Sequence, residues 1–555
     1  MLGMAALSLA ATACSRDGAE WVFSGGRVYT ADAQRRVAEA VAVDDGHIVY
    51  VGDAAGAAAF VGSDTRSVDL AGRVLLPSFT DAHVHMLEGG VSQGACDLSK
   101  ERNAEAILAA VARYAAAHPN MAWIAGSGWS LAAFPDANPR KEELDRIVPD
   151  RPVFLIGADG HSAWVNSRAL AAAAIDRDTP DPARGRIERD AASGEPSGTL
   201  RETAMAPVQA LAFDVGPLAA LRGLRRAVAS ANQFGITSFV EARATTSEYD
   251  WVYRLLDLAG MLHARATLSL WLDPARGDEQ RAEFVSRRSH DFTRHVRASA
   301  IKIFVDGVAE SRTAYLLDPY EGGSDRGTPN FTPERLAELA AQLDRDGFQL
   351  HFHAIGDAAV RMALDAVAKA REQNGPRDGR HQIAHLQLVD PADWARFAAL
   401  GVFANVQALW AFPDDYAMEL DVPLLGRART ERMYPIGSLA RAAAPLAAGS
   451  DWPVSSMNPL AAMQVAVTRS DPEKLGGSQL GAGEAIDLAT MIDAYTIGGA
   501  RLMHQETERG SIEVGKSADL VVFDRDLFAT PPEAIAGAKA LLTLFEGDAV
   551  YEANR

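Results

Sequence analysis

Only two cysteines, Cys14 and Cys96, occur in 555 residues, so neither a disulfide framework nor a cysteine-built zinc site can be assembled. Positive charge is also short. Lys+Arg number 54 against 73 Asp+Glu, a net charge of −19, and no Lys/Arg cluster supplies the footprint a nucleic-acid binder needs. What is present is ordinary for a globular chain: 48% apolar and 23% charged residues, which excludes a disordered tail, a collagen-like repeat or a coiled coil. Thirteen histidines turn any metal chemistry toward nitrogen and oxygen ligands.

The charge-free run Leu2 to Ala13 is too short to span a bilayer comfortably and suits the apolar region of an export signal. It ends in Ala11-Thr12-Ala13-Cys14-Ser15, which is similar to a bacterial lipoprotein box, although no Lys or Arg precedes the run. The expectation is a leader over residues 1–18 and an exported protein, periplasmic or lipid-anchored to the envelope at Cys14. A plain secretory signal is the alternative.

Short strand-like runs crowd both ends of the chain. Trp21-Val22-Phe23, Ala40 to Val43 and His47 to Gly52 lie at the start, with Asp44-Asp45-Gly46 as a tight turn. Ala518 to Phe523 and Leu541 to Tyr551 answer them at the end. These predict a small composite β-sandwich built from residues 19–76 and 505–555. Between them, helix-like Ala/Leu/Arg stretches alternate with eight short apolar runs that end near polar residues, beginning with Val74-Leu75-Leu76 leading to His83. Eight such units predict an α/β fold, a (β/α)8 TIM-like barrel over residues 77–504, with its chemistry at the C-terminal strand ends. The gap from 86 to 234 far exceeds a normal crossover and reads as an insertion forming a lid or substrate wall.

Six histidines fall in three of these runs: His83 and His85, His351 and His353, His381 and His385. Strand alternation puts His83 and His85 on one face, so two imidazoles converge as a metal requires. His353, His385 and Asp451 end three later strands, and Lys302 sits within another.

Asp81-Ala82-His83-Val84-His85, the lysine of Ile301-Lys302-Ile303-Phe304, the single histidines His353 and His385, and Gly449-Ser450-Asp451-Trp452-Pro453 together resemble the amidohydrolase superfamily. The closer likeness is to its branch that includes the N-substituted formamide deformylases, supported by Ala158 to Ser167, Gly194 to Glu202 and His353-Ala354-Ile355-Gly356-Asp357. The resemblance covers about residues 20 to 555. It implies a site for two divalent ions, zinc by default, in which His83, His85 and Asp451 hold one and His353 and His385 the other. A carboxylated Lys302 and a hydroxide would bridge them. The implied reaction is hydrolysis of a non-peptide C–N bond in a small amide, formamide or cyclic amide, with Asp451 moving the proton. Ester, carbamate or lactone hydrolysis by the same groups is the alternative, and a non-catalytic binding barrel is a distant third. A one-metal variant also stays open.

Other residues are weighed singly. His351 is expected behind the site, hydrogen-bonded to it, and His381 at the surface where its strand starts. Asp81 either orients a ligand histidine or caps a turn. Asp357 is expected to cap a helix. His161, in a stretch matching the family, and Arg312, in the loop after the lysine strand, are candidate substrate contacts. Trp129 is expected to line the substrate pocket from the insertion, with Trp164, Trp410 and Trp452 as further candidates. Cys96 reads as a small buried hydrophobe.

Overall fold

The computed structural model describes residues 17–212, 216–245, 247–290 and 293–553. Cys14 and most of the expected leader lie outside them. Eight parallel strands form the central sheet: β1 (Phe79–Val84), β2 (Ile236–Ala244), β3 (Arg265–Trp271), β4 (Val296–Phe304), β5 (Gln349–Ala354), β6 (Gln382–His385), β7 (Phe403–Val406) and β8 (Leu446–Ala448). Their spatial order follows the chain order. Strands 5, 6 and 7 and all of β1 are buried along their whole length, as a parallel sheet covered by helices requires. The ring is drawn together where the Asp451 N–H donates to the His83 carbonyl (2.7 Å) and Asn405 Nδ2 donates to the Ala82 carbonyl (2.8 Å). A Cβ on Gly449 would lie 2.5 Å from the His83 nitrogen, so only glycine permits this approach.

The barrel interior carries a ladder of amides. His385 N donates to Gln407 Oε1, Gln407 Nε2 to Asn405 Oδ1, Asn405 Nδ2 to Gln382 Oε1, and Gln382 Nε2 to Gln349 Oε1. Each buried amide is thereby satisfied within the core, and the chain of bonds ties β5, β6 and β7 to the residue that ends β6.

The two chain ends combine as the sequence pattern predicts. A four-stranded sheet from the N-terminal segment faces a six-stranded sheet that takes strands from both ends, with Trp21, Phe23, Leu75, Leu520 and Leu544 packed between them. One expectation changes. Val74–Pro77 pairs with Leu520–Phe523 in this terminal sheet, and the first barrel strand begins only at Phe79. An uninterrupted apolar run fits either sheet, so its composition alone did not distinguish them.

The long segment after β1 builds a separate six-stranded sheet, from Cys96–Asp97 to Pro196–Glu202. Helix Pro217–Gln233, inside the expected insertion, instead packs its buried face on the barrel core. Trp129 corrects a second expectation. It is 0% exposed, packed edge-on against Phe134 and Trp164 with centroids 5.7 and 6.2 Å away, and its ring N–H donates to the Leu155 carbonyl. Trp164 is equally buried. Both hold the insertion's own core together. Trp129→Ala is therefore expected to lower stability by about 3–5 kcal/mol while metal per folded molecule stays the same. Urea unfolding and elemental analysis on one preparation check this. Cys96 is buried as expected, and burial pushes its thiol up to about 12.

Candidate metal centre

The strand ends bring the expected residues into one pocket. His85 Nε2 lies 3.1 Å and His83 Nε2 3.4 Å from Asp451 Oδ1, and one ligand atom from each of the three falls within 4.8 Å of the others. Lys302 Nζ is 3.2 Å from His83 Nε2. His385 Nδ1 is 3.9 Å from the other oxygen of Asp451, so this carboxylate stands between two sets of nitrogens. The His353 ring lies 4.5 Å from the His385 ring. Its Nε2 faces the Gly307 carbonyl at 3.1 Å.

Three features fit this pocket to a cation. His385 Nδ1 and Asp451 Oδ1 are buried without a hydrogen-bond partner, a costly state that ligation would relieve. Burial, reinforced by neighbouring cationic groups, holds His83, His353 and His385 well below the usual imidazole range, so they present neutral nitrogens. Burial also lowers Lys302, 1% exposed, to about 7, which leaves a substantial fraction of neutral amine.

The backbone is strained at the same place. Asp451 (φ 54°), His385 (φ 78°) and Leu386 (φ 53°) occupy the left-handed region, at a cost of order 1–3 kcal/mol each. Asp81 resolves its two readings. Its carboxylate accepts from Ser450 N (2.9 Å) and Ser450 Oγ, so it pins the strained turn into Asp451 and contacts no imidazole nitrogen of the site.

Behind the ligands, His351 Nε2 and His83 Nδ1 share a 2.8 Å hydrogen bond, and His351 Nδ1 is 2.9 Å from Ser269 Oγ. That relay leaves His83 Nε2 pointing into the pocket, as its alternation predicts. His381 is a correction. It is buried, accepts from the Leu350 N–H and lies 3.3 Å from Asp344, so it joins strand to helix rather than facing solvent. Gly356 occupies the cap position, and Asp357, the first helical residue, accepts from the Leu317 N–H.

The insertion reaches this site through His161. Its ring centroid is 5.4 Å from that of His353, and Nδ1 is 2.8 Å from Glu202 Oε2. Burial would lower this imidazole, but Glu202 beside it carries it up to about 9. Trp410 stacks on His385 at 5.4 Å and 6°. Arg312 is exposed, its guanidinium 5.4 Å from the Tyr320 ring, and no described contact joins it to the histidine cluster. Trp452 packs against Gly89 instead of the imidazoles.

Three acidic residues went unassigned in the sequence. Glu202 carries His161; Glu241, within β2, has Oε1 3.9 Å from His85 Nδ1 and accepts from Tyr253. Asp306 lies 3.8 Å from His353 Nε2 while accepting from the Ile355 and Gly356 N–H groups. Glu241 was visible as an acid within an apolar strand run; the other two depend on contacts between distant segments.

The comparisons agree with this architecture. Protein LONG AFTER FAR-RED 3 of Arabidopsis thaliana is 30% identical over 544 residues, covering 94% of this chain and 91% of that protein. N-substituted formamide deformylase of Arthrobacter pascens is 28% identical over 549 residues, covering 95% and 97%. The crystal structure of an uncharacterized metal-dependent hydrolase of Pyrococcus horikoshii superposes with a TM-score of 0.73 at 23% identity, covering 92% of this chain and 99% of that one; at that identity it speaks for the fold alone. The amidohydrolase family model matches residues 66–551, and with this span and the strand-end histidines in place, the chain belongs to the amidohydrolase family.

Proposed function

We propose that this amidohydrolase-family hydrolase cleaves a non-peptide C–N bond in a small amide, formamide or cyclic amide, using two divalent ions. The observation that carries the reading is the convergence of His83, His85, Asp451, Lys302, His353 and His385 in one buried pocket at the barrel's catalytic end. Bound zinc ions, the default for this donor set, would polarise a carbonyl and make water a nucleophile at neutral pH. Lys302 would serve as a carbamate: its neutral amine adds to CO2 and loses a proton, which turns a cation into an anionic ligand. Asp451, facing nitrogens on both sides, would accept a proton during attack and return it to the departing nitrogen. His161, fixed by Glu202, would contact the substrate from above. The 28% identity to a formamide deformylase supports formamides as the first class to test.

The experiment is a screen of formamides, amides, cyclic amides, esters, carbamates and lactones with protein of measured metal content. Turnover of amides that a chelator removes and zinc restores is expected. Metal-replete protein inert toward every carbonyl compound would contradict the reading, and exclusive turnover of esters or lactones would reassign the bond.

We further propose export with Cys14 as the anchor. Cell-grown protein is expected to label with an alkyne-tagged palmitate, and Cys14→Ser to lose the label. Unlabelled protein retaining Met1 would contradict this.

A further inference from the structure

Beyond the histidine cluster, three loops bring together four carboxylates whose basic neighbour is His161. Asp159 comes from the insertion, Glu310 from the loop after β4, and Asp414 and Asp421 from the loop after β7. They lie within electrostatic reach of one another and of His161: Glu310 feels Asp159, His161 and Asp414, and Asp421 feels Glu310 and Asp414. The His161 ring lies 5.4 Å from that of His353, so His161 joins this group to the metal pocket. Among the described residues no lysine or arginine makes an ion pair with any of the four. The protein is rich in such pairs elsewhere, so their omission here is local.

Two of these acids have structural duties. Asp159 accepts from the His161 and Ser162 N–H groups, and Asp414 from the Ala417 N–H. Asp421 is different. It is 2% exposed, and one oxygen accepts from Gln387 Nε2 at 2.9 Å. Its other oxygen is enclosed without a hydrogen-bond partner. Ser311 Oγ, next to Glu310, is likewise buried and unpartnered. An enclosed carboxylate oxygen beside other acids is costly unless a donor or cation meets it. Burial raises Glu310 to about 7 and Asp414 to about 6; Asp159 reinforces the shift of Glu310 while His161 opposes it, and Asp415 reinforces that of Asp414.

The position suits one end of a substrate. Gln387, which holds Asp421, follows His385 by two residues. Trp410 stacks on His385 and lies 6.4 Å from Tyr434, whose N–H donates to the Gln387 carbonyl. Trp410 and Tyr434 thus link the His385 ring to the Gln387 segment that holds Asp421, and aromatic rings can face a cation.

We propose that Glu310 and Asp421, in the negative field of Asp159 and Asp414, form a subsite for a cationic group, an alkylammonium or guanidinium, on the substrate whose carbonyl sits at the histidine cluster. The proposal deepens the C–N hydrolase reading and rests on it for the carbonyl's position. A charge-assisted hydrogen bond to an enclosed carboxylate is among the stronger single contacts available, so discrimination of about tenfold or more between charged and neutral substrates is expected.

The test uses metal-replete full-length protein and matched formamides: N-(3-aminopropyl)-, N-(5-aminopentyl)- and N-(6-aminohexyl)formamide against N-propyl-, N-pentyl- and N-hexylformamide. Binding is measured by calorimetry and turnover separately by amine release. At least one aminated member should bind about tenfold more tightly than its neutral partner. In Asp421→Asn, which keeps the Gln387 contact, and in the less buried Glu310→Gln, that ratio should fall toward unity. Equal affinity within every pair, or a preference that survives in both variants, would overturn the subsite. Calcium binding lost in both variants without any discrimination between formamides would overturn it in favour of an inorganic cation site. Preferential binding of aminated members without turnover would uphold the subsite while removing the hydrolytic reading.

Discussion

Lys302→Ala is expected to abolish turnover and to empty or loosen the metal pocket while the barrel stays folded. Lys302 lies at the heart of the cluster, 3.2 Å from His83 Nε2 and 1% exposed, and no acid among the described residues forms an ion pair with it. Burial lowers the ammonium to about 7, although the Asp451 carboxylate opposes the shift. As a carbamate the same side chain would supply a second anion to the pocket beside Asp451. Loss of even the partners behind metal ligands costs about 10–100-fold in affinity or activity, so loss of a bridging ligand is expected to exceed ~10²-fold. Short carboxylic acids added to the variant should restore part of the activity. Full metal content and an unaltered rate in Lys302→Ala would refute the assignment. The direction of pH dependence also follows. The neutral amine gains population as pH rises through about 7, so at a fixed concentration of dissolved CO2 reconstitution with zinc should be faster above pH 7 than below it.

Asp451→Asn is expected to lower kcat by ~10²–10⁴-fold while retaining much of the bound metal. The asparagine keeps the size and one oxygen donor but carries no proton between attack and leaving-group departure. The geometry supports both duties, because one carboxylate oxygen lies beside His83 and His85 and the other faces His385. The strained φ of 54° at Asp451, held by Asp81 through Ser450, fixes that orientation in advance. Measuring kcat and metal stoichiometry on the same sample separates the roles. Activity that falls only in step with lost metal, and returns when metal is added, would make Asp451 a ligand alone.

The convergence of the candidate ligands was legible because strand alternation is local. His83 and His85 must share a face, and residues ending successive barrel strands must meet at one rim. His351 behind His83 followed from the same rule. What failed was information that depends on distant contacts. Val74–Pro77 is as apolar as a barrel strand, and only its pairing with Leu520–Phe523 assigns it to the terminal sheet. Trp129 was an aromatic on a long insertion, but the insertion has a core of its own and uses Trp129 to fill it. The Glu202–His161 pair joins the end of one strand of the insertion's sheet to the turn before another, and the acids around Asp421 come from three loops. Neither arrangement leaves a periodic trace in the sequence.

The central claim, hydrolysis at a pair of ions held by six residues of this pocket, is tested most directly by titrating metal into metal-free protein. Bound ions and amide turnover are followed together, with density for the Lys302 side chain from a crystal of the fully loaded form. The account predicts two divalent ions per chain, activity that rises fully only with the second, and three additional atoms on Lys302 Nζ. Full activity in metal-free protein, or with one ion and an unmodified lysine, would contradict it.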